Sequence, residues 1–189
     1  FQESLTTLCS QAIGARNKKL AGQYVQLSIV LFLVLWAPMA VVLVLYMNEI
    51  FLWFGFDEVV ANLGTEFARI YVFVIAVDSV SNSIHTLLDT IDKETYSSLF
   101  GVGEELVATL AVLGTAKGPD PSLEKVGLAF VLVGGFGMVA NVMVIMWKGW
   151  YDPYLPGIIG SSALQNSKAI MLMLKTSSSL SVGFVLAYG

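Results

Sequence analysis

Four stretches of the chain are apolar over a length that matters. Residues 27–47 carry no charged side chain, and a helix needs roughly 20 such residues to cross about 30 Å of hydrocarbon. Residues 126–147 form a second charge-free run, rich in glycine at Gly127, Gly134, Gly135 and Gly137. In a membrane helix such residues allow close backbone approach, so this face is expected to pack on another helix. Residues 66–88 and 97–116 are long enough to span as well, but hold ionisable side chains inside. Backbone groups in lipid must be bonded within the segment or within a closed barrel. These runs are continuous, rather than alternating apolar and polar as barrel strands do. The fold class is therefore all-α, a polytopic bundle of transmembrane helices. Pro38 stands inside the first run, where it removes one backbone hydrogen bond and predicts a kink.

Composition sharpens this picture. With 56% of residues apolar and 13% charged, the chain cannot clothe a soluble core in polar surface. It reads as an integral, multi-pass protein of a plasma membrane or a vacuole-type organelle membrane, with the lipid bilayer as its first partner. The net charge is −4 and the cations are scattered, which leaves no basic footprint for nucleic acid. Cys9 is the single cysteine. No internal disulfide and no Cys/His metal set follows from it. GVGEEL and GGFGMV lack the strand and lysine of a phosphate-cradling loop, so neither metal nor cofactor is expected.

Charges in the connections orient the spans. Arg16, Lys18 and Lys19 of GARNKK precede the first run, which assigns that end to the cytoplasm. The stretch 48–66 holds Glu49, Asp57, Glu58 and Glu66 without Lys or Arg, and falls outside. The connection 89–96 with Lys93 returns inside, GPDPSLEK falls outside despite its lysines, and Lys148, Lys168 and Lys175 restore the inside bias. GWYDPYLPG brings prolines and aromatic residues suited to the headgroup region. Over residues 162–175, Ala163, Ile170 and Leu174 oppose Gln165, Asn166 and Lys168, a pattern for a helix lying on the membrane surface. The chain opens on FQESLTTL without methionine and ends on an uncharged stretch, 176–189, too short to cross. Both ends are expected to be cut.

The polar residues within the spans carry the candidate chemistry. In VDSVSNSIHTLLD, Asp78, Asn82, His85 and Asp89 follow one another at helical offsets on one face. A carboxylate deep in the bilayer costs at least a few kcal/mol, and such residues mark ion, proton or substrate paths. Asp78 is the deepest. For His85 and Asp89 the alternative is a solvated place near the inner interface, with the neighbouring serines bonded back to their own helix. Glu104 and Glu105 stand side by side in the next span. Adjacent helical residues point about 100° apart, so at most one aims squarely at a central cavity. Burial and a like-charged neighbour both favour the protonated form of a carboxyl; the alternative is a structural glutamate bonded to serine or backbone. An intramembrane hydrolase built from Ser79 or Ser81 with His85 and Asp78 is excluded, because one helix cannot assemble that geometry. No enzyme activity is expected.

Two blocks of the chain resemble a known family. Cys9, Ser10, Gln11, Ala12, Gly14 and Ala15 match a run characteristic of multidrug and toxic compound extrusion (MATE) transporters, between their second and third helices. Phe54, Gly55, Asp57, Ala61, Arg69 and Tyr71 fit the family's passage from third to fourth helix, and Leu174-Lys175 fits the approach to the seventh. The resemblance implies that residues 1–175 are the end of helix two, helices three to six and a cytoplasmic connection, most of the amino-terminal lobe of a twelve-helix transporter. Residues 176–189 are then the truncated start of helix seven. It further implies export of small organic or xenobiotic amphiphiles, often cationic, in exchange for protons or sodium ions. Gln11, Asn82 and His85 become candidates for the cavity lining, and Glu104, Glu105 and Asp78 for cation or proton coupling. Some members carry an Asn and, four residues on, an Asp in helix five; alignment from Gly114 sets Glu104 and Ala108 at those positions. That departure favours protons over sodium.

Other readings are a lipid-linked sugar flippase of related architecture, which has a more basic cavity, and a non-transporting scaffold, which has no reason to keep Asp78, Glu104 and Glu105 in hydrocarbon. Substrate identity and oligomeric state are not written in the sequence. The topology has a direct check. Cysteines introduced at Asn17 and Ser161 should both be protected from an impermeant maleimide in intact cells and react after permeabilisation; labelling of either from outside would reverse the assignment.

Overall fold

A computed structural model of the chain describes residues 2–118 and 120–188, with 180–188 as backbone only. Among the described residues there are eight helices and no strand: α1 (Gln2–Gly14), α2 (Lys18–Trp53), α3 (Glu58–Thr90), α4 (Glu94–Ala116), α5 (Leu123–Trp147), α6 (Leu155–Ile158), α7 (Ser162–Gln165) and α8 (Ser167–Tyr188). Helices α2 to α5 are long and apolar enough to cross a membrane, and each contains one of the four apolar runs. They overrun those runs. The 36 residues of α2 rise about 54 Å, well beyond the hydrocarbon, and the helix passes Pro38 without a break.

The helix ends follow from local chemistry. Leu20 N donates to Asn17 Oδ1 (3.0 Å), Val60 N to Asp57 Oδ1 (2.9 Å), Lys125 N to Ser122 Oγ (3.2 Å) and Ala169 N to Asn166 Oδ1 (3.2 Å). Each bond satisfies an amide that the first helical turn leaves unpaired. At the other ends, Gly55 and Gly149 adopt positive φ, as do Arg16 and Asp92. The bonds Gly55 N to Leu52 O (3.0 Å) and Phe56 N to Phe51 O (3.2 Å) close α2 in a Schellman motif. Its customary apolar contact is present too, between the Phe51 and Phe56 rings at 5.7 Å. In the connection before α5, a hydrogen bond from Lys125 and its charge hold the Asp120 carboxyl below the usual range.

The chain divides into two compact units. The first comprises Phe1–Phe32, Val80–Ser97 and Met143–Gly189, and holds a cluster of buried apolar residues. Leu5, Leu8 and Cys9 of α1 meet Tyr24, Val25 and Leu27 of α2, Leu87 and Leu88 of α3, Ile145 of α5 and Met173 of α8. Tyr151 and Tyr154, of the stretch read in the sequence as suited to the headgroup region, are core residues, each 5% exposed. Tyr151 donates its hydroxyl to the Ile84 carbonyl, and burial pushes its pKa up, so it remains a donor. Trp150, next in the same turn, meets the Tyr96 ring edge-on at 4.9 Å.

The expected surface helix over 162–175 also differs. Its first residues form the single turn α7, and α8 then runs unbroken past residue 176. Ala169, Met173 and Ser177 are buried, whereas Leu174 is 44% exposed. The residues that α8 packs on the protein thus lie one position from Ile170 and Leu174, the apolar residues that the surface-helix reading turns to the membrane. Small Ala169 and Ser177 permit close packing on α1, where Ser177 and Ser4 hydroxyls stand 2.8 Å apart.

The second unit, Leu33–Ser79 with Ser98–Val142, joins the C-terminal part of α2 and the N-terminal part of α3 to most of α4 and α5. Asn48 donates to Asn62 (2.7 Å) and Arg69 Nε to the Val44 carbonyl (3.4 Å). Large apolar side chains face outward here, among them Met39 at 63%, Leu110 at 68% and Phe136 at 73% exposure. In water that surface would cost about 25 cal/mol per Å². In hydrocarbon it costs nothing of the kind.

One contact in the first unit is tight enough to test. A β-carbon on Gly22 would run into the Tyr154 carbonyl, and one on Gly157 into the Lys19 carbonyl and to 2.7 Å from Gln23 N. Backbone atoms cannot step aside as side chains do. Gly22→Ala and Gly157→Ala should each lower stability by roughly 1–3 kcal/mol or more, read as a depressed thermal midpoint in detergent. Gly14→Ala, with nothing within 4 Å of the new carbon, should leave the midpoint in place.

Candidate functional site

The glycines of α5 are not spread evenly around the helix, and their placement builds the site. Gly127 meets Ile70 and Phe67 of α3, with a built β-carbon only 3.1 Å from Ile70 Cγ2. Two turns on, Gly134 lies against Val77 and Asp78 of α3 and also against Glu104 of α4. A β-carbon there would stand 3.8 Å from Asp78 Oδ1 and 3.9 Å from Glu104 Oε1. At Gly137 the fit is closer still, 2.5 Å to Glu104 Oε1 and 2.7 Å to its Cδ. Gly137 is therefore a notch occupied by the Glu104 carboxylate, and any side chain there would displace it.

This arrangement brings together Asp78 and Glu104 at one helix face, all within the second unit. The hundred-degree offset between neighbouring residues separates the two glutamates: Glu104 is partly buried against α5, while Glu105 is exposed. Asp78 is likewise exposed on the chain, although its Oδ1 reaches Gly134. Glu104 also lines a cavity of about 410 Å³ whose other walls include Leu99, Phe100, Val107 and Val133. One carboxylate on apolar walls can hold a proton, or the charged end of an amphiphilic cation, with little competition from water.

The remaining predicted residues, Gln11, Asn82 and His85, belong to the first unit. His85 is partly buried, with Nδ1 2.8 Å from Ser97 Oγ. Asn82 and Gln11 are exposed, and the Asn82 carbonyl accepts from Thr86 Oγ1 at 2.8 Å. Sequence reasoning took the α5 glycines as a packing face and missed that one of them receives a glutamate. The i, i+3 spacing of Gly134 and Gly137, set beside an ionisable span, was the available signal.

A family model described as MatE matches residues 2–102, more than half of the 189-residue chain. No curated protein matches it. The matched stretch includes Gln11, Asp78, Asn82 and His85 and ends just before Glu104.

The notch makes a prediction that needs no transport assay. Its crowded atoms belong to a flexible side chain, so Gly137→Ala should fold, with stability changed by no more than about 1 kcal/mol, yet push the Glu104 carboxyl toward the cavity. Labelling of Glu104 by a hydrophobic carbodiimide, quantified by mass spectrometry, should rise several-fold. Gly135→Ala, which meets nothing within 4 Å, should not change it. Equal labelling in both variants would remove the notch from the account.

Proposed function

The chain belongs to the MATE family of membrane transporters, and from that premise we propose that it is part of a proton-coupled antiporter exporting small amphiphilic organic cations. The observation that carries this reading is the Glu104 carboxylate, seated in the Gly137 notch and open to an apolar cavity. A carboxylate so placed can hold a proton or a substrate cation, but not both at once. Binding of either then biases the other by the same free energy, which is the thermodynamic core of exchange.

Protons rather than sodium fit this site. Ala108, at the position the resemblance gives to an aspartate, is 8% exposed and apolar, so it adds no oxygen one turn from Glu104. Glu104 and Asp78 both approach Gly134, but with no oxygen from residue 108 they are a sparse cage for a metal cation, whereas one carboxylate suffices for a proton. The flippase reading is disfavoured by the same cavity, whose lining contains no Lys or Arg.

Substrate affinity should fall as pH drops through the titration of Glu104, because protonation removes the charge that holds the cation. Binding of a cationic dye across pH in the intact transporter, compared with Glu104→Gln and Glu105→Gln, decides the matter. Glu104→Gln should bind weakly and with a flat profile, while Glu105→Gln keeps the wild-type slope. A wild-type profile in Glu104→Gln would end its role as proton carrier. Separately, Asp78→Asn, which retains shape and hydrogen bonding, should express normally and transport several-fold more slowly. Unchanged transport would place Asp78 among structural residues.

A further inference from the structure

Glu104 and the residue before it have contrasting surroundings. The Glu104 carboxylate fills the Gly137 notch of α5, whereas a β-carbon on Gly103 would meet nothing within 4 Å. Both residues line the same cavity of about 410 Å³. The α4 side of that cavity is a single helical face: Leu99, Gly103 and Val107 follow at offsets of four, with Phe100 and Glu104 beside them. The stripe is two turns long, about 12 Å. Gly103 stands at its middle, and there the wall carries no side chain.

That placement restricts the occupant. The cavity lies at the small end of the range for drug-sized ligands, so the body that enters it is compact. Among the described residues lining it, Glu104 alone is charged, and it calls for a single positive charge. Because Gly103 adjoins Glu104, the open space lies beside the carboxylate and not at the far end of the stripe. A cation whose charge resides on a flat ring system fills that space. One whose charge tips a thin alkyl chain leaves it empty and forfeits the contacts. Phe100 adds an aromatic surface to the same wall, suited to a cationic ring.

We propose that Gly103 is a specificity-determining residue of this cavity: by carrying no side chain it admits the ring body of a flat monocation beside the Glu104 carboxylate. This rests on the proposed function, which takes Glu104 as the group that holds the cation.

N-methylpyridinium and N-methylacridinium carry the same fixed charge and differ in ring area, so comparing them separates the space at Gly103 from charge and from ligand titration. Binding of each to the full chain in detergent is measured by equilibrium dialysis at alkaline pH. Gly103→Val should weaken the acridinium by roughly tenfold or more, because it overpacks the space the ring needs, and should leave the pyridinium little changed. Gly103→Ala should give a smaller loss of the same selectivity, and serves if the valine variant does not fold. Gly101→Val places the same side chain two residues away, at a glycine equally open but outside the lining, and should bind both ions as wild type does. Glu104→Gln should weaken both ions alike. If Glu104→Gln binds both as wild type does, the proposed function fails and this inference with it. If Glu104→Gln weakens both, but Gly103→Val weakens the two ions equally or neither, only the role of Gly103 is overturned. The same selective loss in Gly101→Val would also overturn it, since a change off the cavity would then act as one within it.

Discussion

Hydrocarbon offers no hydrogen bonds, and that single constraint organises this chain. It commits the backbone of α2 to α5 to continuous helix. It also makes every polar side chain along them a problem needing a local solution. Threonines solve it within their own helix, as Thr65 does by donating to the Ala61 carbonyl and Thr86 to that of Asn82. Ser28 of α2 with Ser83 of α3 solve it as a pair between helices, as Ser4 and Ser177 do between α1 and α8. Glu104 cannot be satisfied so cheaply, and its solution is steric as much as electrostatic: a glycine opposite makes room for the whole carboxyl group.

Glycine therefore does two different jobs. In the first unit, Gly22 and Gly157 bring backbone against backbone, and the contact holds the turn at Leu155–Ile158 to the start of α2. In the second unit, Gly137 brings backbone against a functional group. The difference appears in what an added methyl would strike. Carbonyl oxygens of packed helices cannot move, so the first contact bears on stability. A glutamate side chain can swing, so the second bears on where a charge resides while leaving the fold in place.

The two units differ in how far they could be read from sequence. The four spanning helices were legible because their outward residues are apolar all round, a signature that hydropathy detects without knowing any contact. The family membership rested on a short polar run around Cys9 to Ala15 that also survives in one dimension. What escaped was the dense first unit. That Tyr151 and Tyr154 pack into a core cannot be read from polarity, because nothing local reveals that the Ile84 carbonyl awaits the Tyr151 hydroxyl from a residue far away in sequence. The face by which α8 packs on α1 was hidden for a related reason: Leu174 is more apolar than Ser177, but close helix packing selects small size over hydrophobicity.

The candidate site was legible in its residues and not in its geometry. Asp78, Glu104 and Glu105 stand out because charge in an apolar run is conspicuous, and helical periodicity limits the adjacent glutamates to one inward member without saying which. The choice is made by α5, through Gly134 and Gly137, and these carry no charge to draw attention. This has a consequence for how such sites diversify. Substituting the carboxylate is costly, since it abolishes a titrating group, whereas substituting a notch residue alters depth and access by a methyl group at a time. On the proposed function, the glycine face of α5 is thus where the balance between proton and substrate can be tuned without touching the group that binds both.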